Sequence, residues 1–243
     1  MTSEDLNHLG NDPGAVKFGN FINYYSFHNV EHRTNNLNKQ MFPAPAANEP
    51  FLCLDIGCNT GELTKDLYQY LKTIYPGNDI HMLAVDVDPT LIARAQETIQ
   101  IPNITFMTCN IMSDNDQKLI QNYSKSYRKK RFDVTFCFSV TMWIHLNNGD
   151  DGLLDFINYI KKISRSIIIE PQPWKCYRNA QRRLKKSGST FPLYDSLKIR
   201  SDVEFVIENK VNEGTHEKVC GSLNPSWNRK ILSFHDTKEL ITK

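Results

Sequence analysis

Apolar runs alternate along this chain with segments whose apolar residues recur every three or four positions. Phe51-Leu52-Cys53-Leu54-Asp55-Ile56 and the stretch from Phe132 to Val140 are apolar nearly throughout. A strand without inside-outside alternation has both faces covered, which is the condition of a parallel sheet sandwiched between helices. Further strands are expected at His81 to Asp86, Ile104 to Cys109, Ser166 to Glu170, Val203 to Ile207 and Ile231 to Phe234. Between them, Leu63, Leu67, Tyr70, Leu71 and Ile74 fall at helical spacing, as do Leu153, Ile157 and Ile160. Pro89 to Gln100 reads as a helix with proline in its first turn, and 174–187 as a strongly basic one. This order predicts a single doubly wound, Rossmann-like α/β domain on a seven-stranded, mostly parallel sheet, a size that 243 residues allow.

The start of the chain reads differently. Residues 1–17 are polar, contain Asn11-Asp12-Pro13-Gly14, and are expected to be flexible. From 18 to 47 comes an aromatic segment, with Phe18, Phe21, Tyr24, Tyr25 and Phe27. Positions 21, 24, 25 and 28 share one helical face, giving a short packed helix or a lid, and the domain proper is taken as 18–243. No apolar run approaches the ~20 residues that span a bilayer, and Met1 to Asp5 lacks a signal-peptide pattern. The six cysteines form no C-x-x-C pair, so no metal is expected and the thiols read as reduced. The expectation is a cytoplasmic monomer, with the nucleus as a second compartment.

A net charge of +2 conceals two basic concentrations. Residues 125–131 carry five cations and no acid; 171–200 carry eight against Asp195 alone, leaving sixteen positive charges against 26 acids elsewhere. Such segregation suits a polyanionic partner. The first run by itself reads as a solvated face.

Ligands of doubly wound sheets sit beyond the carboxyl ends of the strands, near the turn after the first. Here that turn is Asp55-Ile56-Gly57-Cys58-Asn59-Thr60-Gly61. Gly57 and Gly61 let backbone approach a ligand closely. Their G-x-x-x-G spacing departs from the G-x-G-x-x-G that seats a pyrophosphate, which disfavours a dinucleotide. Asp86, ending the second strand, is placed to accept hydrogen bonds from two ribose hydroxyls. Together these suit a nucleoside cofactor without a diphosphate, S-adenosylmethionine. Asn110 ends the third strand with an acceptor oxygen for an adenine amine, and Ile111 or Phe138 would wall the ring.

Four blocks go further: Phe18-Gly-Asn-Phe21, Asp55 to Gly61, Met142-Trp-Ile-His145-Leu-Asn147-Asn-Gly149-Asp150-Asp-Gly152-Leu153, and Glu170-Pro-Gln-Pro-Trp-Lys-Cys-Tyr177. Over about Phe18 to Phe234 the chain resembles the bicoid-interacting family of RNA 5′-end methyltransferases. The Glu170 block, the basic helix after it and Asn224-Pro-Ser-Trp227 look closest to the branch that methylates a 5′-monophosphate. The resemblance implies action on small RNAs with a 5′-phosphate end, namely histidine tRNA and microRNA precursors. It implies cofactor contacts at Arg33, Asn59, Asp86, Asn110 and Ile111, with Phe138 nearby, and makes the aromatic segment a lid.

A terminal phosphate has a second pKa near ~6, so its oxygen is a nucleophile at neutral pH without a base. Fixed donors would hold it: Tyr24, Tyr25 and His145, with Lys175, Tyr177 and Arg178 from the block after the fifth strand. Arg182, Arg183, Lys185 and Lys186 would contact the RNA backbone. His145 has a duller alternative, fastening its loop to Asn147 or Asp150, and Trp143 and Trp174 read as packing. Three rival functions stay open: γ-phosphate methylation of a triphosphate end, amino methylation of a base or amide, and RNA binding without catalysis.

Overall fold

Strand β1 (Phe51–Ile56) is buried at every position, and it pairs in parallel with β2 (Ile80–Asp86) on one side and β4 (Val134–Phe138) on the other. That branching is the switch point of the fold. In the computed structural model, which describes residues 6–7, 15–27, 30–222 and 229–237 (for 26 and 27 the backbone only), the sheet runs β3-β2-β1-β4-β5-β7-β6. Here β3 is Ile104–Thr108, β5 Ser166–Glu170, β6 His216–Gly221 and β7 Leu232–Asp236. The first five strands in this order are parallel, and β7 joins β5 and β6 antiparallel.

Strand side chains alternate between two apolar layers. Leu52, Leu54, Ile56, Ile167 and Ile169 face a layer built on helices α5 (Asp114–Ser126), α6 (Thr141–Ile163), α7 (Trp174–Lys186) and α8 (Val203–Asn212). Phe51, Cys53, Phe136 and Ile168 face α3 (Glu62–Ile74) and α4 (Pro89–Thr98), together with Met41 and Phe42 of the N-terminal segment. Asp88 caps α4 by accepting from Thr90 N (2.8 Å), so proline follows the cap where its missing N–H costs nothing.

Three expectations are corrected. Val203 to Ile207 is not a strand but the first half of α8. Val203, Ile207 and Val211 are buried one helical turn apart, while Phe205, which a strand would have put on their face, is 65% exposed. The seventh strand is instead β6, a polar edge strand that no apolar run announces. The block from Met142 is helical, since α6 begins at Thr141 and breaks only at Gly149, where φ is 74°. The expected flexibility of 1–17 does not hold at its end: Ala15 and Val16 are buried in the core, and residues 1–5 and 8–14 lie outside the described part.

Two of the five cations of the first basic run, Lys129 and Arg131, are spent on structure, while Lys125, Arg128 and Lys130 are exposed. Lys129 and Arg165 pair with the buried Asp133, which also accepts from Leu52 N, and Arg131 pairs with Asp236. These pairs lie at the amino ends of β1 and β4, away from the ligand end of the sheet. Among the described residues no helix is long and apolar enough to cross a membrane.

Candidate active site

The carboxyl ends of β1, β2 and β4 open on one cavity, lined by Asp55, Gly57, Asn59, Asp86, Asn110, Ile111, Phe138 and, from the N-terminal segment, Phe18, Tyr24, Tyr25 and Arg33. The turn after β1 has the backbone that the glycines were expected to supply. Gly57 (φ 76°) packs so tightly that a Cβ would lie 2.5 Å from Val140 Cγ2. Gly61 (φ 80°) is not on the cavity wall. It starts α3, and a Cβ there would strike Phe106 and Ile99, so its role is helix packing.

Asp86 accepts Asn59 N on one oxygen (2.9 Å) and Asp88 N on the other (3.0 Å). Those two bonds fix the carboxylate plane and leave lone pairs on both oxygens for two further donors, as a ribose diol requires. Burial pushes the Asp86 carboxyl up to about 6 and does the same to Asp55, whose Oδ2 accepts from Thr64 (2.6 Å). Asn110 Oδ1 accepts from Met112 N (3.1 Å), which fixes the side-chain amide at the end of β3 beside Ile111. A paired carboxylate, an amide, an apolar wall and a guanidinium around one cleft are the donor set an adenosyl amino acid needs, so the residues fit S-adenosylmethionine.

The N-terminal segment is the roof of this cavity. Helices α1 (Tyr24–Phe27) and α2 (Glu31–Thr34) are short and could not stand alone. They are tied down by polar contacts over long sequence distances. Asn59 Nδ2 donates to Phe21 O (3.0 Å), Asn20 to Asp88 (2.7 Å) and Asn147 to Lys17 O (2.7 Å). Gly19 (φ 76°) lies flat against Trp143, with no room for a Cβ.

The deepest tie is ionic. Arg33, 1% exposed, reaches Glu170 at the end of β5 with two bonds (3.0 and 3.1 Å), and also donates to Ser139 Oγ (2.9 Å) and Tyr24 Oη (2.7 Å). Arg229 approaches the same carboxylate from the other side, donating to Ser139 Oγ (2.6 Å) and Glu170 Oε1 (3.2 Å). Ser139 Oγ completes the cluster by donating to Glu170. Burial alone would raise the Glu170 carboxyl, but Arg33 and then Arg229 outweigh it and hold it at about 2. Ser139 has φ 58°, an unusual backbone for a residue with a side chain, and it lines the cavity.

The expected acceptor groups divide. Tyr24 and Tyr25 are on the cavity wall; Tyr25 donates to Cys58 O (3.3 Å), and burial raises its hydroxyl pKa. His145 and Tyr177 are not. Both are completely buried, paired through Nδ1 and Oη (3.2 Å), and His145 Nε2 meets Asp150 (2.8 Å). Asp150 also accepts the backbone N–H groups of Lys198 and Ile199. The histidine fastens the 198–199 segment to α6 and α7, the duller of its two readings. Lys175 and Arg178 are exposed on the first turns of α7, outside the cavity lining. Arg182, Arg183, Lys185 and Lys186 continue that exposed basic surface. Trp174 stacks with Tyr177 (4.9 Å between ring centroids) and Tyr194 (5.4 Å) and has the Arg200 guanidinium over its ring (5.4 Å), so it is used in packing. Asn224 to Trp227 lie outside the described residues.

Sequence reasoning missed Ser139, Glu170 and Arg229 as a unit. The one available signal was the glutamate closing an otherwise apolar strand, because a buried carboxylate requires cations.

Comparison with known proteins agrees with this geometry. The model of the Bicoid-interacting protein 3 family matches residues 132–236, and that of a methyltransferase domain matches 53–163. An RNA 5′-monophosphate methyltransferase of Bos taurus is 38% identical over 238 residues, covering 92% of this chain and 82% of the relative. A pre-miRNA 5′-monophosphate methyltransferase of Xenopus laevis is 39% identical, covering 96% of both. The chain belongs to the Bicoid-interacting protein 3 family. Family membership makes it an S-adenosylmethionine-dependent methyltransferase. Among solved structures, the N-methyltransferase NodS from Bradyrhizobium japonicum with S-adenosyl-l-homocysteine superposes with a TM-score of 0.55 at 14% identity, over 90% of this chain and 94% of that one. At that identity the likeness is one of fold.

Proposed function

We propose that this member of the family transfers a methyl group from S-adenosylmethionine to the 5′-terminal monophosphate of an RNA. The observation that carries the reading is continuity: the cofactor cavity is walled at the β4 tip by Ser139, which donates to Glu170 at the end of β5, and the basic helix α7 starts four residues after Glu170. Lys175, Arg178, Arg182 and Lys186 follow one another at helical spacing on its exposed side, a cationic stripe about 16 Å long at 1.5 Å per residue. Such a stripe tracks a phosphodiester backbone, while the cavity receives its end.

The cavity's own chemistry suits a phosphate acceptor. Asp55 accepts from Thr64, Asp86 is placed by two backbone N–H groups to receive the ribose diol, and His145 is buried away from the cleft. The described lining therefore holds no histidine poised to deprotonate a neutral hydroxyl or amine. A phosphate monoester needs none, being largely dianionic at neutral pH. Held by Asp86, Asn110, Ile111 and Phe138, S-adenosylmethionine would supply an electrophilic sulfonium methyl to the phosphate oxygen, with a methyl phosphate ester and S-adenosylhomocysteine as the products. The protein's part is to orient one phosphate oxygen in line with the methyl carbon and exclude water beneath the N-terminal roof. The relatives' names support the monophosphate as acceptor, and histidine tRNA and microRNA precursors are the RNAs to try first.

The test is incubation with tritiated cofactor and matched RNAs bearing hydroxyl, monophosphate or triphosphate 5′ ends. Label should enter the monophosphate RNA and disappear after phosphatase pretreatment of the substrate. Label surviving phosphatase would indicate base methylation, and preference for the triphosphate would indicate γ-phosphate capping.

A further inference from the structure

We propose that Tyr194 is a stacking platform for a base near the 5′ end of the RNA; this rests on the phosphate-acceptor reading above. Three observations converge on it. The first is a ladder of rings that climbs from the core to the surface. His145 meets Tyr177 edge-on (5.4 Å between ring centroids), Tyr177 stacks on Trp174 (4.9 Å, 29° between planes) and Trp174 on Tyr194 (5.4 Å, 18°). His145 and Tyr177 are completely buried, whereas Trp174 and Tyr194 are partly exposed. The Arg200 guanidinium lies 5.4 Å from the Trp174 ring and 6.0 Å from that of Tyr194. At such similar distances it flanks the pair on the Trp174 side, and does not cover the outer face of Tyr194. Among the described residues no other aromatic ring stacks on Tyr194. A planar group on that outer face extends the ladder by one step, and a nucleobase is such a group.

The second is charge. Arg200 is fixed by backbone carbonyls, donating to Leu197 O (2.7 Å), Asp195 O (2.8 Å) and, at longer range, Tyr194 O (3.4 Å). It forms no ion pair among the described residues. Arg178, one turn after Trp174 on α7, and Arg200 are the cations that act on the Tyr194 hydroxyl, against the exposed Asp195. With the exposed Lys198 two residues before Arg200, cations outnumber acid here, as suits a phosphodiester chain.

The third is position. Residues 187–202 join α7 to α8 with a single 3-10 turn, Tyr194–Ser196, a length of loop that in a compact domain serves function. Side chains pin it. Gln181 donates to Thr190 Oγ1 (2.8 Å) and accepts from Phe191 N (3.1 Å), while Asp150, held by His145, accepts from Lys198 N and Ile199 N. Phe191 packs on Trp143 (6.3 Å between centroids), which lines the cofactor cavity, and Tyr194 N donates to Phe191 O (3.1 Å). The ring thus stands one turn from a residue packed on the cavity wall, beside the start of the cationic stripe. His145, Asp150 and Tyr177, which do not reach the cavity, hold the ladder and its loop.

The experiment measures binding and KM for wild type, Tyr194→Ala, Tyr194→Leu and Tyr194→Phe. The substrates are one 5′-monophosphate RNA and forms of it made abasic at the first, second or third nucleotide. S-adenosylhomocysteine affinity and thermal unfolding are followed in parallel. Tyr194→Ala and Tyr194→Leu should each weaken binding of the intact RNA about five- to tenfold and raise KM alike, with kcat and S-adenosylhomocysteine affinity nearly unchanged. Tyr194→Phe keeps the ring and should restore both. One abasic RNA should bind wild type about as weakly as intact RNA binds Tyr194→Ala, and on that RNA the alanine should cost nothing further. A folded alanine or leucine variant that binds intact RNA like wild type overturns the proposal. So does a loss of equal size on every abasic RNA, which would make Tyr194 a support for its loop and no surface for a base. Should wild type place no methyl on the 5′-monophosphate RNA, the acceptor reading fails, while the abasic series, read as binding, still judges the platform.

Discussion

Replacing Glu170 with glutamine removes one charge and little volume from a completely buried ionic cluster. The carboxyl, ordinarily near 4.5, is held at about 2 by Arg33 and Arg229 while completely buried. At ~1.4 kcal/mol per pH unit, that difference corresponds to about 3 kcal/mol of stability at neutral pH. The amide leaves two buried guanidiniums facing a neutral group, and breaking a buried pair from one side costs ~3–5 kcal/mol. For a chain of this size the melting temperature should fall by about 10 °C. The sign with pH follows from the depressed pKa. The stabilisation is complete above about 4.5 and lost as pH falls through about 2, so wild type and Glu170→Gln should converge across that window. Thermal unfolding followed by circular dichroism at pH 7, and denaturant unfolding at descending pH, measure both effects. Because Arg33 ties the N-terminal segment to this carboxylate, S-adenosylhomocysteine affinity should weaken as well. A loss under ~2 °C at pH 7, or a gap that persists unchanged to pH 2, would refute the account of the cluster.

Two other outcomes are expected. Since burial holds the Asp86 carboxyl up at about 6, S-adenosylhomocysteine affinity should fall as pH drops below about 6, by up to ~tenfold per unit, as the acceptor oxygens are protonated. Asp86→Asn should bind ~10–100-fold more weakly by calorimetry and lose most of that dependence, with Asp55 supplying the remainder. Along α7, Arg182→Ala with Lys186→Ala should weaken RNA binding and reduce the slope of log affinity against log salt by ~0.7 for each phosphate no longer neutralised. Arg128→Ala with Lys130→Ala, in the other basic run, should leave both unchanged in a salt titration.

The chain's own pattern determined those parts of the protein that are local. Apolar strands covered on both faces, the glycine turn after β1 and the acid ending β2 are each written in neighbouring residues, because a parallel sheet demands them within one strand and one turn. The segment at 203 shows where local pattern is ambiguous. Val203, Phe205 and Ile207 alternate as a strand would, and Val203, Ile207 and Val211 recur as a helix would. Packing against α6 and the sheet chose the second. The active-site cluster was beyond local reading altogether. Arg33 lies 137 residues from Glu170, and Arg229 lies 59 residues on its other side, so only the closed fold brings both guanidiniums to one carboxylate. The same closure buried His145 and Tyr177 against each other and turned Lys175 outward, although all three stand in the blocks that marked the site. A residue's type fixes which chemistry it can perform, but whether it meets a substrate or a neighbouring side chain depends on which surfaces the packed core leaves to water.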